Sequence, residues 1–123
     1  MQHSERFLAL VNDAKTRIRE ITVGAVANDI ADGTEFALID TREESEWNAA
    51  HAAGARHVSK GIIERDIEAA IPDVDAKIVL YCGGGYRSAL AADALQQMGY
   101  RNVYSLAGGW RAWKAAGLLV EQD

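Results

Sequence analysis

The chain has 123 residues, 49% of them hydrophobic and 25% charged, with a formal net charge of −5. That balance suits one domain able to close its own core, and it excludes disordered and fibrous classes. A single cysteine, Cys82, excludes an internal disulfide, and His3, His51 and His57 are too scattered to form a metal site with it.

An acidic surface with no basic stripe and no block of five like charges argues against a nucleic-acid partner. No apolar run reaches membrane-spanning length, and Met1 to Arg6 lacks a basic segment followed by an apolar core. A cytoplasmic protein without a membrane partner is expected.

In chain order, Phe7, Val11, Ala14 and Ile18 share one face of a helix over residues 5–18, with Ser4 as its N-cap. Its polar face mixes both signs of charge, which suits a packing arm better than a membrane or partner helix. The arm is assigned to residues 1–19 and the domain proper to residues 20–120. Glu20 to Val23 reads as a short edge strand, and a helix follows from about Gly24 to Ile30.

Phe36 to Ile39 is a brief apolar run that ends in the polar turn Asp40-Thr41-Arg42 and a helical segment containing Trp47. Arg56 to Val58 is a third strand, Ile62 to Ile71 a charged helix stopped by Pro72, and Lys77 to Tyr81 a buried strand. A helix over 87–98 ends at Gly99, a strand covers Asn102 to Leu106, and Gly108 opens a last helix that stops near Gly117. Short apolar strands alternating with helices predict a parallel sheet covered on both faces, with ligands at the carboxyl ends of the strands.

Cys82 stands at one of those ends. Alone it reads more readily as a small buried hydrophobe than as a nucleophile. The three glycines after it, Gly83, Gly84 and Gly85, change that balance, because each costs conformational entropy that a packing cysteine has no use for. A loop from Gly83 through Tyr86 and Arg87 to Ser88 can curl its N–H groups toward the sulfur at the positive end of the following helix. Arg87 adds a cation at the same place, and both features favour thiolate over thiol. On an acidic chain, an anionic substrate needs local positive character, and the loop with Arg87 is its expected source.

Three separated stretches carry a family likeness: Leu38-Ile39-Asp40-Thr41-Arg42, the Cys82 loop, and Leu106-Ala107-Gly108-Gly109-Trp110-Arg111-Ala112-Trp113 running on to Gly117. Together, over roughly residues 20–120, they resemble the single-domain rhodaneses, a family of sulfurtransferases. The resemblance implies an α/β fold with a five-stranded parallel sheet, helices on both faces, and the N-terminal helix as an addition. It implies that Cys82 takes a sulfur from a small anionic donor such as thiosulfate, holds it as a persulfide, and passes it to cyanide, a thiol or a sulfur-accepting protein. No metal and no organic cofactor is implied. Gly83, Gly84, Gly85, Tyr86 and Ser88 would cradle the persulfide while Arg87 binds the donor, in a monomer or homodimer.

Several positions depart from the family pattern. Ala50-His51-Ala52-Ala53-Gly54-Ala55 lacks the family's proline, which loosens a turn without touching the chemistry. His51 is read as a structural hydrogen-bonding residue. Gly83 replaces an arginine that many thiosulfate-using members carry directly after the cysteine, which leaves room for another sulfur donor or acceptor. Asp40 and Arg42 are read as an ion pair that fixes a turn, Tyr86 as a gate at the loop rim, and Trp47, Trp110 and Trp113 as core.

Two other readings are weighed. A rhodanese-fold binding module without turnover has no need of a reactive Cys82. A cysteine-dependent phosphatase or arsenate reductase resembles its relatives in spacing cysteine and arginine by five residues, whereas four intervene here. A disulfide oxidoreductase would require a second cysteine nearby.

Overall fold

A strand with apolar residues on both of its faces must lie inside a sheet covered on both sides, and one segment of this chain is buried at all four positions. In the computed structural model, which describes residues 3–122, that segment is the central strand of the molecule. The elements are α1 (Glu5–Lys15), β1 (Arg19–Ile21), α2 (Val23–Asp32), β2 (Ala37–Asp40), α3 (Glu44–Ala49), β3 (His51–Ala52) and β4 (Arg56–His57). They continue with α4 (Ile63–Ala70), β5 (Ile78–Tyr81), α5 (Tyr86–Gln97), β6 (Val103–Leu106), α6 (Gly109–Ala115) and β7 (Val120–Glu121).

Five strands form one parallel sheet in the order β1-β6-β5-β2-β4. From β2 the chain moves outward to β4, then returns to β5 on the other side of β2 and proceeds to β6. The strand order therefore reverses between β2 and β5, and Cys82 leaves β5 at that switch point, where open α/β sheets place their ligands.

Alternation along each strand feeds two cores. Ile39, Ile78, Leu80 and Val103 meet Ile63 and Ile67 of α4 and Ala91, Ala92 and Leu95 of α5. On the opposite face Leu38, Val79, Tyr81 and Leu106 meet Val26 of α2 and Trp113 of α6. Helix α1 packs on the outer side of α5 in the same chain, burying Val11 and Ala14. Arg17 clamps Asp93 of α5 through two hydrogen bonds of 3.0 and 2.8 Å, and the Gln96 side chain donates to the Arg17 carbonyl at 2.9 Å.

The strand ends beneath Cys82 are tied together by charge. Asp40 is fully buried and accepts from Arg42 Nε and Nη2 at 3.1 and 2.8 Å and from the Tyr81 hydroxyl at 2.6 Å. Arg42 Nη2 also donates to the Ala50 carbonyl at 2.7 Å, and its guanidinium lies 4.6 Å from the Trp110 ring centre. The same Tyr81 hydroxyl accepts the Ala52 N–H at 3.1 Å. Burial, reinforced by Asp40, pushes the Tyr81 hydroxyl above its ordinary range, so it stays a proton donor. The expected Asp40–Arg42 pair is present, and it is buried.

Helix α6 docks directly on the cysteine loop. The Trp110 N–H donates to the Cys82 carbonyl at 2.7 Å and the Arg111 N–H to the Gly83 carbonyl at 3.3 Å. Gly109, at φ +52°, makes this approach possible, because a Cβ there would be driven into the Cys82 carbonyl oxygen.

Two expectations need correction, and one strand pair lies outside them. Helix α1 stops at Lys15, three residues early, with Thr16 as C-cap. An unforeseen antiparallel pair, β3 with β7, forms a second, two-stranded sheet. Of the three tryptophans only Trp113 is fully buried; Trp110 packs half-buried against the core where the first turn of α6 faces the loop, and Trp47 is half-buried on α3.

Two substitutions test this frame. Asp40→Asn leaves Arg42 buried against a neutral partner and should cost about 3–5 kcal/mol in urea unfolding. Gly109→Ala combines a left-handed backbone with a steric clash and should lose about 3 kcal/mol or more by the same measurement.

Candidate active site

The positive end of a twelve-residue helix, the carboxyl end of the central strand β5 and the first turns of α6 converge on one cavity of about 630 Å³. Cys82 forms its floor and is 1% exposed. Its Sγ accepts the Gly85 N–H at 3.2 Å and the Ser88 N–H at 3.4 Å, with Ser88 Oγ at 3.5 Å. Ser88 Oγ lies in turn 2.8 Å from Ser105 Oγ of β6, and both serines are fully buried.

Gly85 is the residue that lets the loop close. It sits at φ +99° as the N-cap of α5, and a Cβ there would come within 3.4 Å of the Leu106 carbonyl oxygen. Two inward N–H groups and a helix N-terminus stabilise negative charge at the sulfur position. Gly83 and Gly84 line the cavity opening without a bond to the sulfur, and Tyr86 forms part of the wall.

Arg87 is beside the sulfur but is not a free cation. Its guanidinium grips Glu46 of α3, with Nη1 to Oε1 at 2.8 Å and Nη2 to Oε2 at 3.3 Å. Glu46, followed by the nearby Cys82 sulfur, holds Arg87 above its already high ordinary value. The Arg87 hydrogen bond in turn holds the Glu46 carboxyl below the usual carboxylate range, helped by the Glu43 N–H and opposed by partial burial. Glu46 Oε1 accepts that N–H at 3.0 Å as part of the capping box that starts α3.

Arg87 is thus half of a neutral pair with Glu46 beside the sulfur. Two other cations line the cavity, Arg111 and Lys114 of α6, and among the described residues neither is paired with a carboxylate. Lys114 Nζ lies 5.4 Å from the Trp110 ring centre.

The opposite wall comes from the N-terminal arm. The His3 ring packs against Tyr86 at 4.5 Å between centres, Phe7 lies 6.4 Å from the same ring, and Lys15 Nζ sits 5.3 Å from it. Tyr86 is thus held at the loop rim by α1. His51 lies away from the sulfur. Its Nδ1–H donates to the Trp47 carbonyl at 3.0 Å while its ring stacks on Trp47 at 3.5 Å, the structural role read from the sequence.

Sequence reasoning missed Glu46, Ser105, Phe7, Arg111 and Lys114. A capping box at Glu43 and Glu46 was visible locally, but nothing in it points to an arginine 41 positions on. Lys114 stands four residues after Trp110 and so shares its helix face, a signal that was available.

Comparison with known proteins adds the family. A rhodanese-like domain model matches residues 22–116. The probable adenylyltransferase/sulfurtransferase MoeZ of Mycobacterium tuberculosis is 33% identical over 112 residues, covering 89% of this chain. The chain spans only 29% of that relative's length. The thiosulfate sulfurtransferase GlpE of Pseudomonas fluorescens is 38% identical over 77 residues, 63% of this chain and 69% of the relative. Among solved structures, a protein of unknown function from Rhodopseudomonas palustris, described as a possible tyrosine phosphatase, superimposes with a TM-score of 0.86 at 29% identity over 98% of both chains. With the family model spanning four of the five sheet strands, the cysteine loop and α6 together, the chain belongs to the rhodanese-like domain family.

Proposed function

We propose that this domain is a sulfurtransferase that carries sulfane sulfur on Cys82. The Cys82 thiolate attacks the outer sulfur of a donor, a new S–S bond forms, and the donor's own S–S bond breaks with its electron pair leaving on the departing group. With thiosulfate the products are a Cys82 persulfide and sulfite. A thiolate, cyanide or a sulfur-accepting protein then attacks the outer persulfide sulfur and regenerates Cys82. Each step is a two-electron displacement at sulfur, and the cycle calls on no metal or organic cofactor.

The observation that carries this reading is the pair of N–H groups from Gly85 and Ser88 aimed at Sγ on the floor of an open cavity. Oriented donors of this kind stabilise developing anionic charge by about 3 kcal/mol each in water-poor sites. Arg87 lies close enough to the sulfur to attract a donor's anionic part, although Glu46 competes for it.

Phosphoryl chemistry is a weaker reading. Only four residues separate Cys82 from Arg87, and among the described residues no aspartate lines the cavity to protonate a leaving group. A binding module without turnover gains nothing from N–H groups trained on a thiol.

Incubation with thiosulfate, followed by intact mass measurement, should add one sulfur, about 32 Da. Cyanide should remove the adduct, and Cys82→Ser should never acquire it. Absence of the adduct with thiosulfate and with organic persulfides would overturn the proposal.

Glu46→Gln keeps the capping-box acceptor but frees Arg87, so kcat/KM for thiosulfate should rise about fivefold. The Glu46 carboxyl is depressed in the folded chain, so its pairing contributes stability above the unfolded carboxylate value and loses it as pH falls through the folded one. The stability gap between parent and Glu46→Gln, about 0.5 kcal/mol after solvent screening, should be full at neutral pH and begin to shrink only as pH falls below the ordinary carboxylate value of about 4.

A further inference from the structure

Thiosulfate has five non-hydrogen atoms and fills roughly 100 Å³, the share of about three waters, whereas the cavity above Cys82 measures about 630 Å³. The excess space is organised. One wall is aromatic, built from Phe7 and Tyr86, with Trp110 across the opening. The rim beside Trp110 carries Arg111 and Lys114, both exposed and, among the described residues, without a carboxylate partner. Next to the sulfur the balance is reversed: Gly83 contributes no side chain and Glu46 neutralises Arg87. The deep end, with N–H donors but no unpaired cation, therefore suits a terminal sulfur rather than a multiply charged oxyanion, and the cations beside Trp110 suit an apolar body that terminates in an anion.

We propose that Arg111 and Lys114 form a carboxylate-binding subsite, and that the sulfur carrier used by this domain is an organic hydropersulfide or thiol bearing a carboxylate at its far end. This rests on the sulfurtransferase reading above. In the loading step the Cys82 thiolate attacks the terminal sulfur of R–S–SH. The S–S bond of the carrier breaks, R–S⁻ leaves with the electron pair, and Cys82–S–SH keeps the proton of the terminal sulfur. In the reverse direction R–S⁻ takes the terminal sulfur back, so the same subsite serves donor and acceptor. No outside oxidant or reductant enters.

The test compares two probes, glutathione hydropersulfide and the hydropersulfide of its diethyl ester, which differ in carboxylate charge. The parent protein should load Cys82 from the free acid with kcat/KM about tenfold above the diester, for two screened ion pairs. In Arg111→Gln/Lys114→Gln that preference should collapse toward one, and Arg111→Lys/Lys114→Arg should restore it. S-methylglutathione, which cannot transfer sulfur, should inhibit loading of the parent, and its diethyl ester should not; this readout needs no variant. Equal use of acid and diester by the parent, or a preference that survives in the double glutamine variant, overturns the subsite. If Cys82 takes sulfur from neither persulfide nor from thiosulfate, the sulfurtransferase reading itself falls, and the subsite with it.

Discussion

A carboxylate removed from water must be paired, and Asp40 at the end of β2 is removed completely. It recruits Arg42 from its own turn and Tyr81 from the neighbouring strand β5. Arg42 reaches on to the Ala50 carbonyl and Tyr81 to the Ala52 amide, so one charge locks β2, β5 and the segment that joins α3 to β3. Thr41 adds its N–H and hydroxyl, both at 2.9 Å, to the Tyr81 carbonyl. Cys82 is the next residue, and its position is therefore set by electrostatics from below before the loop makes any contact of its own. Helix α6 then completes the seat from the side, through Gly109 and the Trp110 amide.

Above that seat, two kinds of positive character are kept apart. Backbone N–H groups, which carry no net charge and cannot be neutralised by a counter-ion, face the sulfur directly. Of the formal cations, Arg87 stands beside the sulfur but is committed to Glu46, while Arg111 and Lys114 line the same cavity from α6. On a chain with net charge −5 this arrangement concentrates favourable potential where a ligand's tail would lie, and leaves the reacting sulfur in a nearly neutral, hydrogen-bonded setting.

Much of this is legible in the residues. The strand and helix alternation is plain because Ile78 to Tyr81 is apolar throughout and Gly33 and Gly99 mark helix ends, so each segment of the parallel sheet is read to within a few positions. The place of Cys82 at a strand end is equally legible. What escapes is whatever depends on partners distant in sequence. The β3–β7 pair consists of two residues on each side, too short for any period to show. Trp47 and Trp110 have the right spacing for burial, but α3 covers only the sheet's rim and α6 turns its first residues toward the loop. Glu46 reads as a capping residue, and its grip on Arg87 appears only once α3 and α5 are brought side by side.

The wall supplied by His3 and Phe7 has a different standing from the rest of the cavity. It belongs to the N-terminal arm, held to α5 by Val11 and Ala14 and by the Arg17–Asp93 pair, whereas the floor is continuous with the central sheet. Enclosure of the sulfur therefore depends on a second set of contacts, which the central sheet does not provide. A molecule that bridges Tyr86 and the arm would add to those contacts and so favour the docked arm.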